Sequence, residues 1–243
     1  IADDVRLLSA RVLATSNREE VITALVECLS CEEPELRREA AISIGRIATH
    51  SADTPALQHT LGPLLTQLEL GDEKMRHACT RTLAKLGQTE AFSHLLNALE
   101  DKANGVRIEA VNSLVELSAA LAEEHHTETV SPAHILTRVL ACLDDPANGV
   151  RLAAARGAAT LLSQVDRKEF EKNVLENIIA TACTNNGSQT REMGRILKNI
   201  NIEASIDMLL QQLDTLQNSS ERRFVIELLE EILVSENSSL YLV

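Results

Sequence analysis

The chain has 243 residues, 44% of them hydrophobic, and carries a formal charge of −13 from 36 acidic and 23 basic side chains. A core can be built, but with three Phe, one Tyr and no Trp it must be aliphatic, and nine Gly and five Pro are too few for a turn-rich β protein. The acidic balance disfavours non-specific binding to nucleic acid or an anionic membrane, and no stretch approaches 18 uninterrupted apolar residues.

Five irregularly spaced cysteines do not form the framework of a secreted disulfide protein, so a reducing, cytoplasmic location is expected. Because the chain opens on Ile1 rather than Met, it reads as a fragment of a longer protein.

In chain order, amphipathic segments are expected to be helical over Glu19–Leu29, Glu90–Leu99, Pro132–Leu143 and Ile202–Leu213. Ser131 followed by Pro132 is a helix-start signal, an N-cap with proline at the first helical position. Short polar turns follow the first helices (Gly71-Asp72, Asn104-Gly105, Asn148-Gly149 and Asn185-Asn186-Gly187), and each is expected to launch a second helix. Polar insertions lie at Thr49–Thr54, Ala122–Ser131 and Ser163–Lys168.

The second helices share a frame. Asn104-Gly105-Val106-Arg107 recurs as Asn148-Gly149-Val150-Arg151, and the arginine anchors the same frame at Arg6, Arg37, Arg76, Arg191 and Arg222. Three of the six steps between anchors are 31 residues, as expected of stacked structural units with insertions confined to one kind of junction. Eight positions before the anchor stand Leu29, Leu68, Leu99, Leu143 and Cys183. Three and four after it stand Ala40-Ala41, Ala110-Val111 and Ala154-Ala155. Seven after it stand Leu13, Ile44, Leu83, Leu114, Ala158 and Leu229, with Lys198 the exception. Apolar residues at +3, +4 and +7 mark one helix face, and small ones let helices approach closely.

This pattern resembles the HEAT-repeat family in its short-repeat, bilin lyase-like form, from about Asp4 to Leu233. The resemblance implies an all-α fold, a right-handed α-solenoid of antiparallel helix pairs (armadillo-like helical), with six to seven repeats in one domain over residues 1–243. It also implies that the repeated arginine is structural, bonding acids and helix-end carbonyls of adjacent repeats.

Chemistry-bearing motifs are few. Cys28-Leu29-Ser30-Cys31 is a formal Cys-x-x-Cys, but Cys28 aligns with Ala98, Cys142 and Ala182 in a small-residue core slot, and no second pair completes four zinc ligands. Glu124, His125 and His126 are the densest metal-ligand candidates, in the longest insertion, and a solvated loop is the preferred reading. No phosphate loop, nucleophile elbow or His-Glu-x-x-His is present. No cofactor is expected.

One surface stands out against the acidic average. Positions +1, +5 and +9 share a helix face, which the resemblance places on the concave side. It carries Arg38, Ile42 and Arg46, then His77, Arg81 and Lys85, with Arg156 further along. Such a face suits an acidic or amphipathic protein segment. The expected function is a non-catalytic protein–protein interaction scaffold with Arg38, Arg46, His77, Arg81, Lys85 and Arg156 as contact residues. The alternative is a ligand-handling or catalytic solenoid, similar to a bilin lyase or a HEAT-like DNA glycosylase; scarce aromatics and the acidic charge weigh against the DNA version.

Overall fold

The computed structural model describes residues 16–51, 54–121, 132–162, 194, 197, 202–217 and 219–240. The chain divides into two compact units, Ile1–Ser131 and Pro132–Val243. All regular structure among the described residues is helical.

In the first unit the elements alternate as the frame predicts. Helix α1 (Glu19–Cys28) is followed by α2 (Pro34–His50), a 3₁₀ turn (Pro55–Thr60) leads into α3 (Leu61–Leu70), then α4 (Glu73–Leu86), α5 (Ala91–Ala98) and α6 (Asn104–Leu121). The even-numbered helices form one layer, with α2 packed on α4 and α4 on α6. Each odd-numbered helix packs on the even one that follows it. The second unit holds α7 (Pro132–Ala141), a 3₁₀ turn (Cys142–Asp144), α8 (Asn148–Leu162), α9 (Ile202–Thr215) and α10 (Ser219–Leu240). Its pairs are α7 with α8 and α9 with α10.

Local signals set the boundaries. Pro34 and Pro132 occupy the first turns of α2 and α7, where a missing N–H costs nothing. Asp72 caps α4, its carboxylate accepting from the Met75 N–H at 2.8 Å. Gly87 ends α4 at φ +64°, a left-handed conformation that glycine adopts without penalty. The first Asn-Gly turns differ from expectation, because Asn104 and Asn148 are already helical. The turn is made earlier, by Asp101 and Asp145. Each folds its carboxylate back to accept the N–H two residues on, from Ala103 and Ala147, both at 2.8 Å.

The frame's apolar positions are buried from α1 to α8, whereas Ile226, at +4 from Arg222 on α10, is exposed. Leu29, Leu68, Leu99 and Leu143 close the first helices, and Ala40, Ala41, Ile44, Leu83, Ala110, Val111, Leu114, Ala154, Ala155 and Ala158 line the seams of the second. Two buried hydroxyls lace the layer. Thr82 donates to the Ala41 carbonyl at 2.9 Å, and Ser113 donates to the Thr80 carbonyl at 3.2 Å. Both run from position +6 of one helix to position +4 of the preceding one, so α2–α4 and α4–α6 stack in the same register.

Four anchor arginines, Arg37, Arg76, Arg107 and Arg151, are structural, with partners more local than expected, whereas Arg222 is exposed on α10 and Arg6 and Arg191 lie outside the described residues. Arg37 donates to the carbonyls of Cys31 and Glu32 at 2.7 and 2.8 Å. Arg107 reaches the Asp101 carbonyl at 2.7 Å and Arg151 the Asp145 carbonyl at 2.8 Å. Each thereby ties the bend of its own helix pair, satisfying carbonyls left over at a helix end. Arg76 does this through Gly71 at 3.1 Å and also grips Asp101 of the next pair with two bonds, 2.7 and 2.8 Å. That bridge holds the Asp101 carboxyl below the usual carboxylate range and raises the Arg76 guanidinium further.

Candidate functional site

Between α2 and α4 lies a groove of about 660 Å³, within the roughly 300–1,000 Å³ usual for ligand sites. Its floor is Ile42 and Gly45 of α2 with Ala78 and Thr82 of α4; Arg38 and Arg46 rise on one side, His77, Arg81 and Lys85 on the other, and Glu73 and Lys74 stand at the mouth. Five of the six sequence-predicted contact residues therefore share one groove. Arg156 is exposed on α8, in the second unit. Glu124, His125 and His126 lie outside the described residues.

The groove exists because the two helices meet through small side chains. A Cβ on Gly45 would stand 2.9 Å from the Thr82 hydroxyl oxygen and 3.5 Å from Cδ of Lys85, so the lysine stem crosses the glycine. Gly45→Ala is expected to push the helices apart or displace the Thr82–Ala41 bond. The anticipated cost is about 1–3 kcal/mol, read as a lower urea midpoint.

The electrostatics are more balanced than the stripe alone implied. Arg46 pairs with buried Glu39 at 3.2 Å, and Arg38 with Glu35 at 3.2 Å. On the far side Glu109 of α6 lies 3.4 Å from Nε2 of His77 and 3.8 Å from Nε of Arg81. Among the described residues, Lys74 and Lys85 have no carboxylate within ion-pair reach. The sequence reading missed Glu39 and Glu109, though a signal was there, since both stand at +2 from an anchor. It also missed Gly45, Ala78 and Thr82 as the floor.

Among the described residues the cysteines form no disulfide. Cys31 donates weakly to the Glu33 carbonyl at 3.5 Å, and burial pushes the Cys79 thiol up to about 12, leaving it without thiolate character at neutral pH. Among the described residues no group of three or more His, Cys, Asp or Glu gathers as metal ligands. Nor is any described helix long and apolar enough to cross a membrane.

Residues 2–62 and 61–159 match the family model for HEAT repeats. The chain belongs to the HEAT-repeat family. Among solved structures it is similar to an archaeal HEAT-like repeats protein from Thermococcus onnurineus NA1, at 16% identity and TM-score 0.57 over 93% of this chain and 92% of that one. It is also similar to an engineered protein at 23% identity, TM-score 0.55, over 87% and 96% of the two chains. A third is a designed armadillo repeat protein in complex with the peptide (KR)4, at 17% identity, TM-score 0.56, over 86% and 98%. No curated protein matches the sequence. The fold is an all-α HEAT solenoid of antiparallel helix pairs, and the candidate groove lies between the second helices of two successive HEAT repeats.

Proposed function

We propose that this HEAT-repeat chain is a non-catalytic scaffold that holds an acidic segment of a partner protein in the α2–α4 groove. The observation that carries the reading is the concentration of five fixed cations around a 660 Å³ groove in a chain of net charge −13. Complementary charge steers encounter and fixes orientation. Two of the cations, Lys74 and Lys85, can take a new carboxylate without giving up an existing pair. The groove offers no paired nucleophile and base: the Thr82 hydroxyl donates to a backbone carbonyl and no Ser or Cys lines the walls. A designed armadillo protein of related fold is in complex with the basic peptide (KR)4; the cations lining the α2–α4 groove favour an acidic segment instead.

The test is fluorescence anisotropy with labelled peptides of alternating Glu and Ser, and matched Lys-Ser and Gln-Ser controls. The acidic peptide is expected to bind, to weaken with added salt, and to lose about tenfold or more in affinity when Lys74 and Lys85 are both changed to Glu. Equal binding of acidic and basic peptides would sink the reading.

A further inference from the structure

We propose that the partner is anchored by one carboxylate side chain, seated in the α2–α4 groove where the next repeat places its own Glu109; this rests on the acidic-segment reading above. The argument is one of register. Thr82 bonds Ala41 as Ser113 bonds Thr80, +6 to +4 in both cases, so the two helix junctions are equivalent. At the α4–α6 junction the +2 residue of the later helix is Glu109, and it crosses to the +1 and +5 residues of the earlier helix, His77 and Arg81. At the α2–α4 junction the corresponding +2 residue is Ala78, and the +1 and +5 residues are Arg38 and Ile42.

The alanine methyl ends where a glutamate would continue, and Ala78, Arg38 and Ile42 together line the groove. The groove thus has room beside Arg38 for a Glu side chain that the chain does not supply there. A carboxylate entering from a partner meets Arg38, whose existing bond to Glu35 is an exposed pair at 30% and 56% side-chain exposure and therefore easily exchanged. Lys85, at +9 of α4, stands in the place from which Arg46 of α2 reaches its own +2 acid, Glu39. Ile42 offers an apolar surface for the methylenes of the incoming side chain.

Three variants of the full chain test this with the labelled Glu-Ser peptide. Ala78→Glu supplies the missing carboxylate from within and is expected to weaken binding about tenfold or more. Ala78→Gln fills the same volume without the charge and should weaken it less. Glu109→Ala vacates the neighbouring junction, releases His77 and Arg81 towards the peptide, and should tighten binding several-fold. Ala78→Glu binding as tightly as wild type, with an unchanged melting temperature, overturns the anchor while leaving the scaffold reading intact. Should Ala78→Glu fail to fold, an unchanged or weaker affinity in Glu109→Ala overturns it instead. No binding by the wild-type chain removes both proposals. Wild-type self-association that Ala78→Glu abolishes would make the occupant a second copy and overturn the partner proposed here.

Discussion

Asp101→Ala is expected to lower the stability of the first unit by about 3–5 kcal/mol, the cost of leaving a buried charge without its partner. Arg76 retains 8% side-chain exposure and Asp101 14%, so the intact bridge is largely shielded from water. The same change removes the acceptor for the Ala103 N–H and loosens the turn into α6. Changing Arg76→Met together with Asp101→Ala should recover a large part of the loss, because no charge is then stranded. The pH dependence follows from the sign of the shift. Asp101 titrates lower in the folded chain than the unfolded value of about 3.9. Its stabilisation is therefore complete above that value and disappears as pH falls through the folded-state value. Urea midpoints of wild type and Asp101→Ala should converge on acidification; a constant gap would show that the bridge contributes nothing to acid sensitivity.

Leu83→Ala is the second large effect, with an expected loss of about 2–5 kcal/mol. Leu83 is fully buried on α4, the helix that packs against both α2 and α6. Truncation there removes apolar burial and leaves a void in the core around α4. Leu70→Ala serves as the control. That leucine is 79% exposed at the end of α3, so its change should stay within about 0.5 kcal/mol. Urea titrations of both variants decide the matter, and near-equal midpoints would contradict the assigned core.

The frame that distinguishes these leucines is legible in the sequence itself. Leu83 falls at +7, as do Ile44, Leu114 and Ala158, and all four are fully buried. Periodicity carries that information because a helix repeats every 3.6 residues whatever lies beside it. What was not legible depends on how one helix sits against the next. The +1, +5 and +9 positions were assigned to a basic face, yet Glu39 and Glu109 at +2 reach into it and neutralise part of it. Side-chain reach across a helix junction is not a periodic property. The same limit explains the arginines, whose structural role was foreseen while the carbonyls they choose, mostly in their own bends, were not. Asn104-Gly105 misled for a different reason: Asp101 completes the turn first, and the Asn-Gly pair is left to begin the helix. The candidate groove shows both sides. Its cations follow from spacing, whereas its floor comes from the coincidence of Gly45 and Ala78 on facing helices.

The arginine bonds also bear on the order in which the molecule assembles. The bonds from Arg37, Arg107 and Arg151 to the carbonyls of their own bends close loops of six positions or fewer, and loops that short form quickly at little entropic cost. A helix pair can thus set its bend while the rest of the chain is still being synthesised. The Arg76–Asp101 bridge spans 25 positions, so it must wait until the next pair has emerged and docked. Folding in this region is then expected to run from local bends to pairwise latching. Amide protons of α4 and α6 should become protected only at the latching step, after those of the turns themselves.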